Sequence, residues 1–322
     1  LAELGAVYDS GALSNRNILI NGNMEVAQRG TSQTAAGYGT IDRFALSLSG
    51  ASATMTQESF TIGQTDVPGS DKYLKLVVST GNNNSGVYYK VEAKDAFPVI
   101  GQKVTLSYFA KGTSPAAGLE VAIGWYDGSS SSSYASTTVT LTSSWTKYTH
   151  TFDVPSISGL TLTNAAAYLE VHWIQADADT SSNAYEINLA QTQLEVGTEA
   201  TPFEHRSFGD ELARCYRYYY SFETDGQDGL LVMHQDRLTN EYIGSLHMPT
   251  EMRANPTVTH TGMDRLHKPG VRYDTLSSGP GFSFLHSQGF VFSLTASTTD
   301  TDSQTGYLGA SSGGTINVDA EL

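Results

Sequence analysis

Apolar and polar residues alternate in short stretches throughout this chain. The clearest apolar positions are Val104, Leu106 and Tyr108, then Val121, Ile123 and Trp125, and finally Leu169, Val171 and Trp173. Successive side chains of a strand point to opposite faces of its sheet, so a period of two predicts sheets with one packed and one solvated face. Turn-forming pairs such as Asp127-Gly128 separate these stretches. The pattern predicts an all-β fold, and we expect Trp125 to lie in its core.

The composition fits a β-rich protein of two domains. The chain has 322 residues, of which 16% are charged and 31 are glycine, and this length suggests about two domains with a core each. Its formal net charge is −15, which nucleic acid and anionic membrane surfaces would repel. No apolar stretch approaches the roughly 20 residues of a membrane span. We therefore expect no nucleic-acid partner and no membrane insertion.

A capped helix is predicted between the two domains. Ser207 and Asp210 have the spacing of a helix N-cap and its reciprocal partner. At helical spacing after them come Leu212, either Cys215 or Tyr216, and Tyr219. Cys215 is the only cysteine, so no disulfide forms within the chain, and its neighbours predict a buried thiol. We divide the chain into a connector (residues 1–16), a first jelly-roll-like β-sandwich (17–205) and a second β-sandwich (206–322), joined by a short helix or turn.

Two segments far apart in the chain are predicted to be strands. In residues 17–30, an apolar strand is followed by Asn21-Gly22, the pair typical of a tight hairpin turn, and by a second strand. Near the other end, Ile316 and Val318 alternate with polar neighbours. We expect this last strand to pair at the centre of a sheet and to lie near an interface between copies of the chain.

Several blocks of residues resemble a known family. They read NILINGNMEVAQRG (17–30), DRF (42–44), QLEVGTEATPFE (193–204), CYRYY (215–219), PTEMRANPT (249–257) and DAEL (319–322). Their order is similar to that in tail fibres, the receptor-binding proteins of bacterial viruses, especially marine ones. The resemblance implies a jelly roll like those of carbohydrate-binding modules, followed by a tail-fibre C-terminal domain.

The resemblance also implies a function. The chain would be the distal part of a homotrimeric tail fibre that adheres to a bacterial surface glycan or protein, with an upstream shaft and other tail proteins as virion partners. The start at Leu1 and the lack of a signal peptide fit such a fragment, assembled in the host cytoplasm and carried on the virion. Adhesion through several weak sites needs no catalyst. We expect no enzymatic activity and no cofactor.

Candidate receptor-binding residues come from two regions near the segments 128–136 and 262–281, which lie outside the family blocks. We expect both segments to be loops, because loops tolerate variation and carry binding residues. Aromatic rings stack on sugars while polar groups hold the hydroxyls. Residues 260–273 are rich in Arg, Lys and His for this acidic chain, which suits an anionic glycan. The candidates are Tyr126, Asp127, Tyr134, His260, Asp264, Arg265, His267, Lys268 and Arg272.

The sequence gives little support for a metal site. Met24-Glu25 resembles the start of calcium-carrying carbohydrate-binding modules, but residues 187–191 offer amides where those modules place a carboxylate. We therefore predict no metal, and Glu25 would be a solvated strand residue. The eight histidines form no metal-binding motif. A histidine on a trimer axis would be the exception, because three copies of it could close a site.

Glycan cleavage is the main alternative to adhesion. It needs two carboxylates across a cleft, and candidate pairs are Asp177 with Asp179 and Asp225 with Asp228. Their Ser, Thr and Gly neighbours favour solvated turns instead. A depolymerase spike that cleaves surface polysaccharide therefore stays open as one alternative. A structural fibre, whose jelly roll only spaces the tip from the shaft, is another.

Overall fold

The computed structural model describes residues 15–322 except 81–84, 130–133, 164, 177–183, 225–230, 236–239, 269–270, 277–278, 297–304 and 311–312. The chain divides into two compact units, one up to residue 212 that also includes Leu322, and one from residue 213 to 321. Within the described ranges, the helices are α1 (Phe208–Cys215) and a 3-10 helix (Phe97–Val99). Neither has the length and apolarity of a membrane-spanning helix. The prediction of an all-β chain is confirmed.

The first unit is a sandwich of two antiparallel sheets. Its strands are β1 (Ser32–Gln33), β2 (Phe44–Ser47), β3 (Ser52–Ser59), β4 (Lys72–Thr80), β5 (Gly86–Glu92), β6 (Lys103–Thr113), β7 (Leu119–Tyr126), β8 (Ala135–Val139), β9 (Thr146–Asp153), β10 (Tyr168–Gln175) and β11 (Tyr185–Val196). The six-stranded sheet has the order β1-β3-β4-β11-β6-β9, and the five-stranded sheet has the order β2-β5-β10-β7-β8. The chain passes repeatedly between the two sheets, as in a jelly roll.

The core of the first unit lies where the alternating stretches face each other. Trp125 is directly opposite Leu169, and Trp173 is opposite Val121, on the neighbouring strands β7 and β10. Both tryptophans are fully buried. Tyr108 reaches Trp173 from the other sheet, with ring centroids 5.6 Å apart. The inner faces of the two sheets thus share one core, and the burial of Trp125 is confirmed.

Residues 17–30 do not form the strand hairpin that the sequence predicts. Their backbone groups bond to side chains and to single residues of other segments. Asn17 Oδ1 accepts the N–H of Leu194 (3.0 Å), and the side chain of Asn21 bonds both the N–H (2.9 Å) and the C=O (2.8 Å) of Val26. Asparagine side chains compete in this way with a strand ladder. The chain does turn here, since Asn21 has a positive φ of 59° and its carbonyl accepts the N–H of Met24 (2.9 Å). Gly22 does not share the positive φ, so this is not the Asn-Gly hairpin turn that the sequence predicts.

A buried arginine fixes this irregular segment. Arg206 donates hydrogen bonds to the backbone oxygens of Asn17 and Leu19. It also pairs with Glu204 (3.3 Å) and with Glu211 of α1 (3.2 Å), and the three side chains of these ion pairs are each less than one tenth exposed. A buried ion pair that loses one partner leaves an uncompensated charge, so all members depend on one another. The network anchors the segment to the beginning of α1.

The second unit packs a three-stranded sheet against a seven-stranded one, and side chains from both form its core. Its strands are β12 (Tyr219–Thr224), β13 (Leu231–Gln235), β14 (Glu241–His247), β15 (Thr257–Thr261), β16 (Arg265–Lys268), β17 (Val271–Thr275), β18 (Gly281–His286), β19 (Gly289–Thr295), β20 (Thr305–Gly309) and β21 (Gly314–Asp319). The sheet orders are β12-β21-β15 and β17-β16-β20-β13-β14-β19-β18. The central place predicted for the last strand is confirmed, whereas its nearness to a trimer interface stays a prediction.

The predicted helix is present, with one correction. The N–H of Asp210 donates to Ser207 Oγ (3.2 Å), so the N-cap is confirmed, as is the burial of the Cys215 thiol. The helix ends at Cys215. Tyr219 therefore does not extend the helical face, but begins strand β12.

The segment 262–281 is not the loop that the sequence predicts, because it carries β16, β17 and the beginning of β18. Leu266 is fully buried and lies opposite Leu308 of β20, so Arg265 and His267 alternate about a core residue. The charged neighbours obscured this alternation in the sequence. In the segment 128–136, β8 begins at residue 135, and residues 130–133 lie outside the described part of the chain.

Candidate functional site

The outer face of the five-stranded sheet, which points away from the core, carries a cluster of rings and charged groups. We call this cluster the aromatic face, and define it by Tyr88, Lys90, Glu120, Tyr126, Tyr134, Tyr168, Glu170 and His172. All but Tyr134 occupy strand positions that alternate with core residues. Glu170 and His172 are buried at its floor, whereas Glu120, Lys90 and the tyrosines around them are half-buried or exposed.

The register of the strands brings these side chains into rows. Strand β10 runs between β5 and β7. The directly opposed pairs are Tyr168 with Tyr126, Glu170 with Lys90, and His172 with Tyr88. Opposed residues of antiparallel strands have Cβ atoms about 4.5–5.5 Å apart. The three rows therefore form one continuous surface across the three central strands of the sheet.

A histidine held between two carboxylates forms the floor of this surface. His172 is only 4% exposed. Its Nδ1 lies 3.0 Å from Glu170 Oε1, and its Nε2 lies 3.4 Å from Glu120 Oε1. An ionised carboxylate only accepts hydrogen bonds, so the ring satisfies both neighbours when both of its nitrogens carry a proton. The geometry therefore favours the positively charged imidazolium.

The pKa values of this group follow from the same contacts. Burial by itself lowers the pKa of His172, but the hydrogen bonds to Glu120 and Glu170, together with their charges, outweigh burial and raise it. The hydrogen bond from His172 lowers the pKa of Glu120, against the opposing effect of partial burial. Each charge thus stabilises the other. The raised pKa of His172 and the lowered pKa of Glu120 both favour the charged forms of these two groups.

Two tyrosines pack against the histidine ring. The ring centroids of Tyr88 and Tyr134 each lie 5.3 Å from that of His172. Tyr134 precedes β8 and lies over Gly124 of β7, where an added Cβ would come within 2.2 Å of the tyrosine ring. A glycine at this position therefore allows the ring to lie flat on the sheet. Tyr134 is 38% exposed, so part of its ring faces solvent.

A second pair of rings forms one end of the surface. Tyr126 and Tyr168 have ring centroids 5.0 Å apart and planes tilted by 35°. Lys90 Nζ lies 4.5 Å from the centroid of Tyr168, which is a cation–π contact. Burial, and after it the charge of Glu170, raises the pKa of Tyr168. The phenol therefore keeps its proton and presents a hydroxyl that both donates and accepts hydrogen bonds.

The sequence prediction found part of this surface. Tyr126 and Tyr134 lie on the aromatic face, as described above. Asp127 does not present a free carboxylate, because it is 8% exposed and its Oδ1 accepts hydrogen bonds from Ser129 N (2.9 Å) and Oγ (3.0 Å). It is a turn-forming residue at the end of β7.

The other candidates belong to the second unit, and there the structure does not gather them on one sheet. Their places are His260 in β15, Asp264 directly before β16, Arg265, His267 and Lys268 in β16, and Arg272 in β17. Strand β15 belongs to the three-stranded sheet, and β16 and β17 belong to the seven-stranded one. The side chains of Lys268 and Arg272 lie outside what the structure describes. Binding by these residues stays a prediction.

The sequence prediction missed the centre of the aromatic face. Tyr88, Lys90, Tyr168, Glu170 and His172 alternate with core residues that the period-two pattern does identify. The same pattern that places Leu169, Val171 and Trp173 inside also places their neighbours outside. The sequence therefore did contain a signal for the aromatic face. That signal is the row of aromatic and charged residues at the outward positions of a central strand.

The structure also bears on the metal and carboxylate alternatives. Glu25 is not the solvated strand residue that the sequence predicts, because it is half-buried in an irregular segment. Among the described residues, no three His, Cys, Asp or Glu side chains come together in the manner of metal ligands. The pairs Asp177 with Asp179 and Asp225 with Asp228 lie outside the described ranges.

No protein-family model and no curated protein matches the chain. Among solved structures, it is similar to the family 11 carbohydrate-binding module of Clostridium thermocellum Lic26A-Cel5E, with 10% identity, a TM-score of 0.34, and 53% of this chain and 98% of that chain covered. It is also similar to a putative sugar binding protein from Bacteroides thetaiotaomicron (11% identity, TM-score 0.35, 56% of this chain and 100% of that one). A third similar structure is the CBM22-1 xylan-binding domain of Paenibacillus barcinonensis Xyn10C, with 11% identity, a TM-score of 0.31, and 52% of this chain and 94% of that chain covered. These values are too low to assign a family or a ligand.

Proposed function

We propose that the chain is a non-catalytic glycan-binding protein and that the aromatic face of its first unit holds the sugar. The observation that carries this proposal is the group of half-exposed tyrosines around a buried, charged floor on one side of a sheet. Sugars present apolar C–H faces, which stack on aromatic rings, and hydroxyls, which bond to fixed polar groups. The aromatic face offers both over neighbouring rows of a rigid sheet.

The chemistry of the face favours binding without cleavage. A general base needs a free lone pair near the reacting group. Both ring nitrogens of His172 are directed at carboxylates, and Glu170 is buried beneath the rings. These groups therefore hold a geometry instead of exchanging protons with a substrate. We propose that the protein is not an enzyme and uses no cofactor.

The blocks that resemble tail fibres support a more specific role. We propose that the chain is the distal part of a phage tail fibre and forms a homotrimer that is joined to an upstream shaft and other virion tail proteins. Its target would be a bacterial surface glycan or protein, met outside the cell. Three weak sites on one fibre, and several fibres on one virion, raise the overall affinity well above that of a single site. The net charge of −15 fits a protein without nucleic-acid or membrane partners.

A glycan array with the labelled whole chain tests the proposed function. The expected result is binding to a defined group of glycans that is lost when Tyr88 and Tyr134 are both replaced by alanine. Phe97→Ala is the matched control, because Phe97 is an exposed aromatic residue that does not belong to the aromatic face. Absence of glycan binding by the wild type, or full binding by the double variant, would overturn the proposal. Light scattering of the chain with its shaft tests the trimer, which a monomer at micromolar concentration would exclude.

A further inference from the structure

A cleft of about 700 Å³ lies in the first unit, apart from the aromatic face. It is lined by Glu25, by the connection between β3 and β4, and by the first residue of α1. Phe60, Ile62 and Phe208 give it an apolar wall, in which Ile62 is fully exposed and Phe208 is more than half exposed. The volume falls within the range of small-molecule binding sites. Exposed apolar side chains beside a cleft of this size mark a binding surface.

Two carboxylates line this cleft, and neither forms an ion pair among the described residues. Glu25 accepts one hydrogen bond, from Asn23 Nδ2 (2.7 Å), and Asp71 is exposed at the rim. Lys72 also lines the cleft, but its ammonium donates to Ser59 Oγ (2.8 Å). Within the described part of the chain, neither carboxylate takes part in an ion pair. Their charges are therefore available to a ligand.

We propose that this acidic cleft binds a glycan residue that carries a free amino group. Glu25 and Asp71 would accept hydrogen bonds from its ammonium, and such charge-assisted bonds are about twice as strong as neutral ones. Phe60 and Phe208 would contact the C–H face of the sugar ring. A lysine side chain offers the same ammonium but no flat C–H face, so the two aromatic walls favour the sugar. The acidic cleft would be a second site, beyond the one in the proposed function.

The environment of Glu25 adds a pH dependence to this site. Burial raises the pKa of Glu25, and the charges of Asp71 and Glu211 act in the same direction. The hydrogen bond from Asn23 and the charge of His205 oppose the shift without cancelling it. Glu25 therefore takes up a proton at a higher pH than an ordinary glutamate does. Binding of an ammonium should weaken as the pH is lowered through the raised pKa of Glu25, because the protonated carboxyl carries no charge.

Two hexasaccharides that differ only at nitrogen test the proposal by calorimetry with the whole chain. One is the β-1,4 hexamer of glucosamine, and the other is the same hexamer with every amino group acetylated. We expect the glucosamine hexamer to bind at least tenfold more tightly at pH 6.5 and 150 mM salt. Hexalysine is the third probe, because it offers ammonium groups without a sugar ring.

The variants separate a specific site from general attraction to an acidic protein. Glu25→Gln with Asp71→Asn should weaken glucosamine hexamer binding about tenfold or more, and Phe208→Ala should weaken it without changing any charge. Asp66→Asn is the matched control, since Asp66 lies in the same connection but does not line the cleft. Its effect should be less than twofold. Tyr88→Ala with Tyr134→Ala should leave this binding unchanged, which separates the proposal from the proposed function.

Loss of binding in the Glu25 and Asp71 variant, with Asp66→Asn and the tyrosine variant unchanged, would establish the site. Equal binding of both hexasaccharides would overturn it, as would tighter binding of hexalysine through the same carboxylates. No measurable binding of the glucosamine hexamer would also overturn it. Release of shorter sugars from the hexamer would overturn it as well, because the proposed site binds without cleavage.

Discussion

Replacing His172 by phenylalanine tests the charged floor of the aromatic face. Phenylalanine keeps a ring between Tyr88 and Tyr134 but removes both N–H donors. Glu170 is 5% exposed, and its carboxylate has no other hydrogen-bond donor among the described residues. The substitution therefore leaves a buried carboxylate without a partner, which is the costly way to break such a pair.

The magnitude follows from the two contacts. The bond between His172 and Glu170 is 3.0 Å long, and both side chains are less than one tenth exposed, so its loss should cost about 2–3 kcal/mol. The contact between His172 and Glu120 is longer, 3.4 Å, and Glu120 is 27% exposed. Solvent screening therefore reduces the contribution of this contact to the unfolding free energy to less than about 1 kcal/mol. We expect the first unit to lose about 3 kcal/mol of unfolding free energy at pH 6.

Urea unfolding followed by tryptophan fluorescence measures this loss in the intact chain. All three tryptophans, Trp125, Trp145 and Trp173, belong to the first unit, so their signal reports on that unit. The pKa of His172 is raised in the folded state. The stability that His172 contributes is therefore complete below its pKa in the unfolded chain, near 6.5, and is lost as the pH rises through its pKa in the folded state. The pKa of Glu120 is lowered, so its contribution is present above about 4.5 and is lost on acidification. The difference between wild type and variant should therefore be largest between these two values and smaller at pH 9.

A second substitution supplies the control. Glu170→Gln in the His172→Phe background removes the unpaired charge and should recover most of the lost free energy. A cost below 1 kcal/mol for His172→Phe at pH 6 would show that the charged floor does not stabilise the first unit. An equal cost at pH 6 and pH 9 would show that the ring is held by packing and not by charge.

Three further predictions follow from single features. Gly22→Ala should lower the unfolding free energy of the first unit by about 1–3 kcal/mol, because the new Cβ would come within 2.2 Å of a backbone oxygen. The control is Gly209→Ala, whose Cβ would meet only one atom, at 4.0 Å. It should be neutral in the same fluorescence assay. Deletion of residues 316–322 removes most of the central strand β21, and gel filtration should show no soluble folded protein. Arg265→Ala with Lys268→Ala should weaken attachment to host cells, because both positive charges belong to β16 and suit an anionic surface glycan. Unchanged cell attachment would remove the second unit from the receptor site.

The period-two pattern was enough to predict the core because the core depends on short-range order along each strand. Trp125 and Trp173 could be placed inside from their own neighbours alone, and the structure puts both at the centre of the first unit. The cap at Ser207 is likewise local, since donor and acceptor lie three residues apart. Features of this kind need no knowledge of the partner strand.

The irregular segment and the binding surface depend on partners that are distant in sequence. Residues 17–30 read as a hairpin, but Asn17 bonds to Leu194 and is held by Arg206, nearly two hundred residues away. Strand β16 is hard to predict because its buried residue Leu266 stands between the polar residues Arg265 and His267 in the sequence. These contacts are set by the register between strands, which the local pattern does not specify.

The aromatic face shows the same limit. Tyr126 was identified from its own loop, whereas Glu120 and His172 are brought together only by the pairing of β7 with β10. Each of them alone reads as a polar residue on a solvated face. The charged floor appears only when the rows across the sheet are known.

Calorimetry with the oligosaccharide selected on the array measures whether the aromatic face holds the sugar without cleaving it. The wild-type chain, the Tyr88→Ala/Tyr134→Ala variant and the Phe97→Ala control are titrated with the same sugar, and the sugar is recovered afterwards. We expect the double variant to bind at least tenfold more weakly while it keeps the wild-type tryptophan fluorescence. The control should bind normally, and the sugar should be recovered intact. Wild-type affinity in the double variant would exclude the aromatic face as the glycan site, and recovery of a shortened sugar would exclude binding without cleavage.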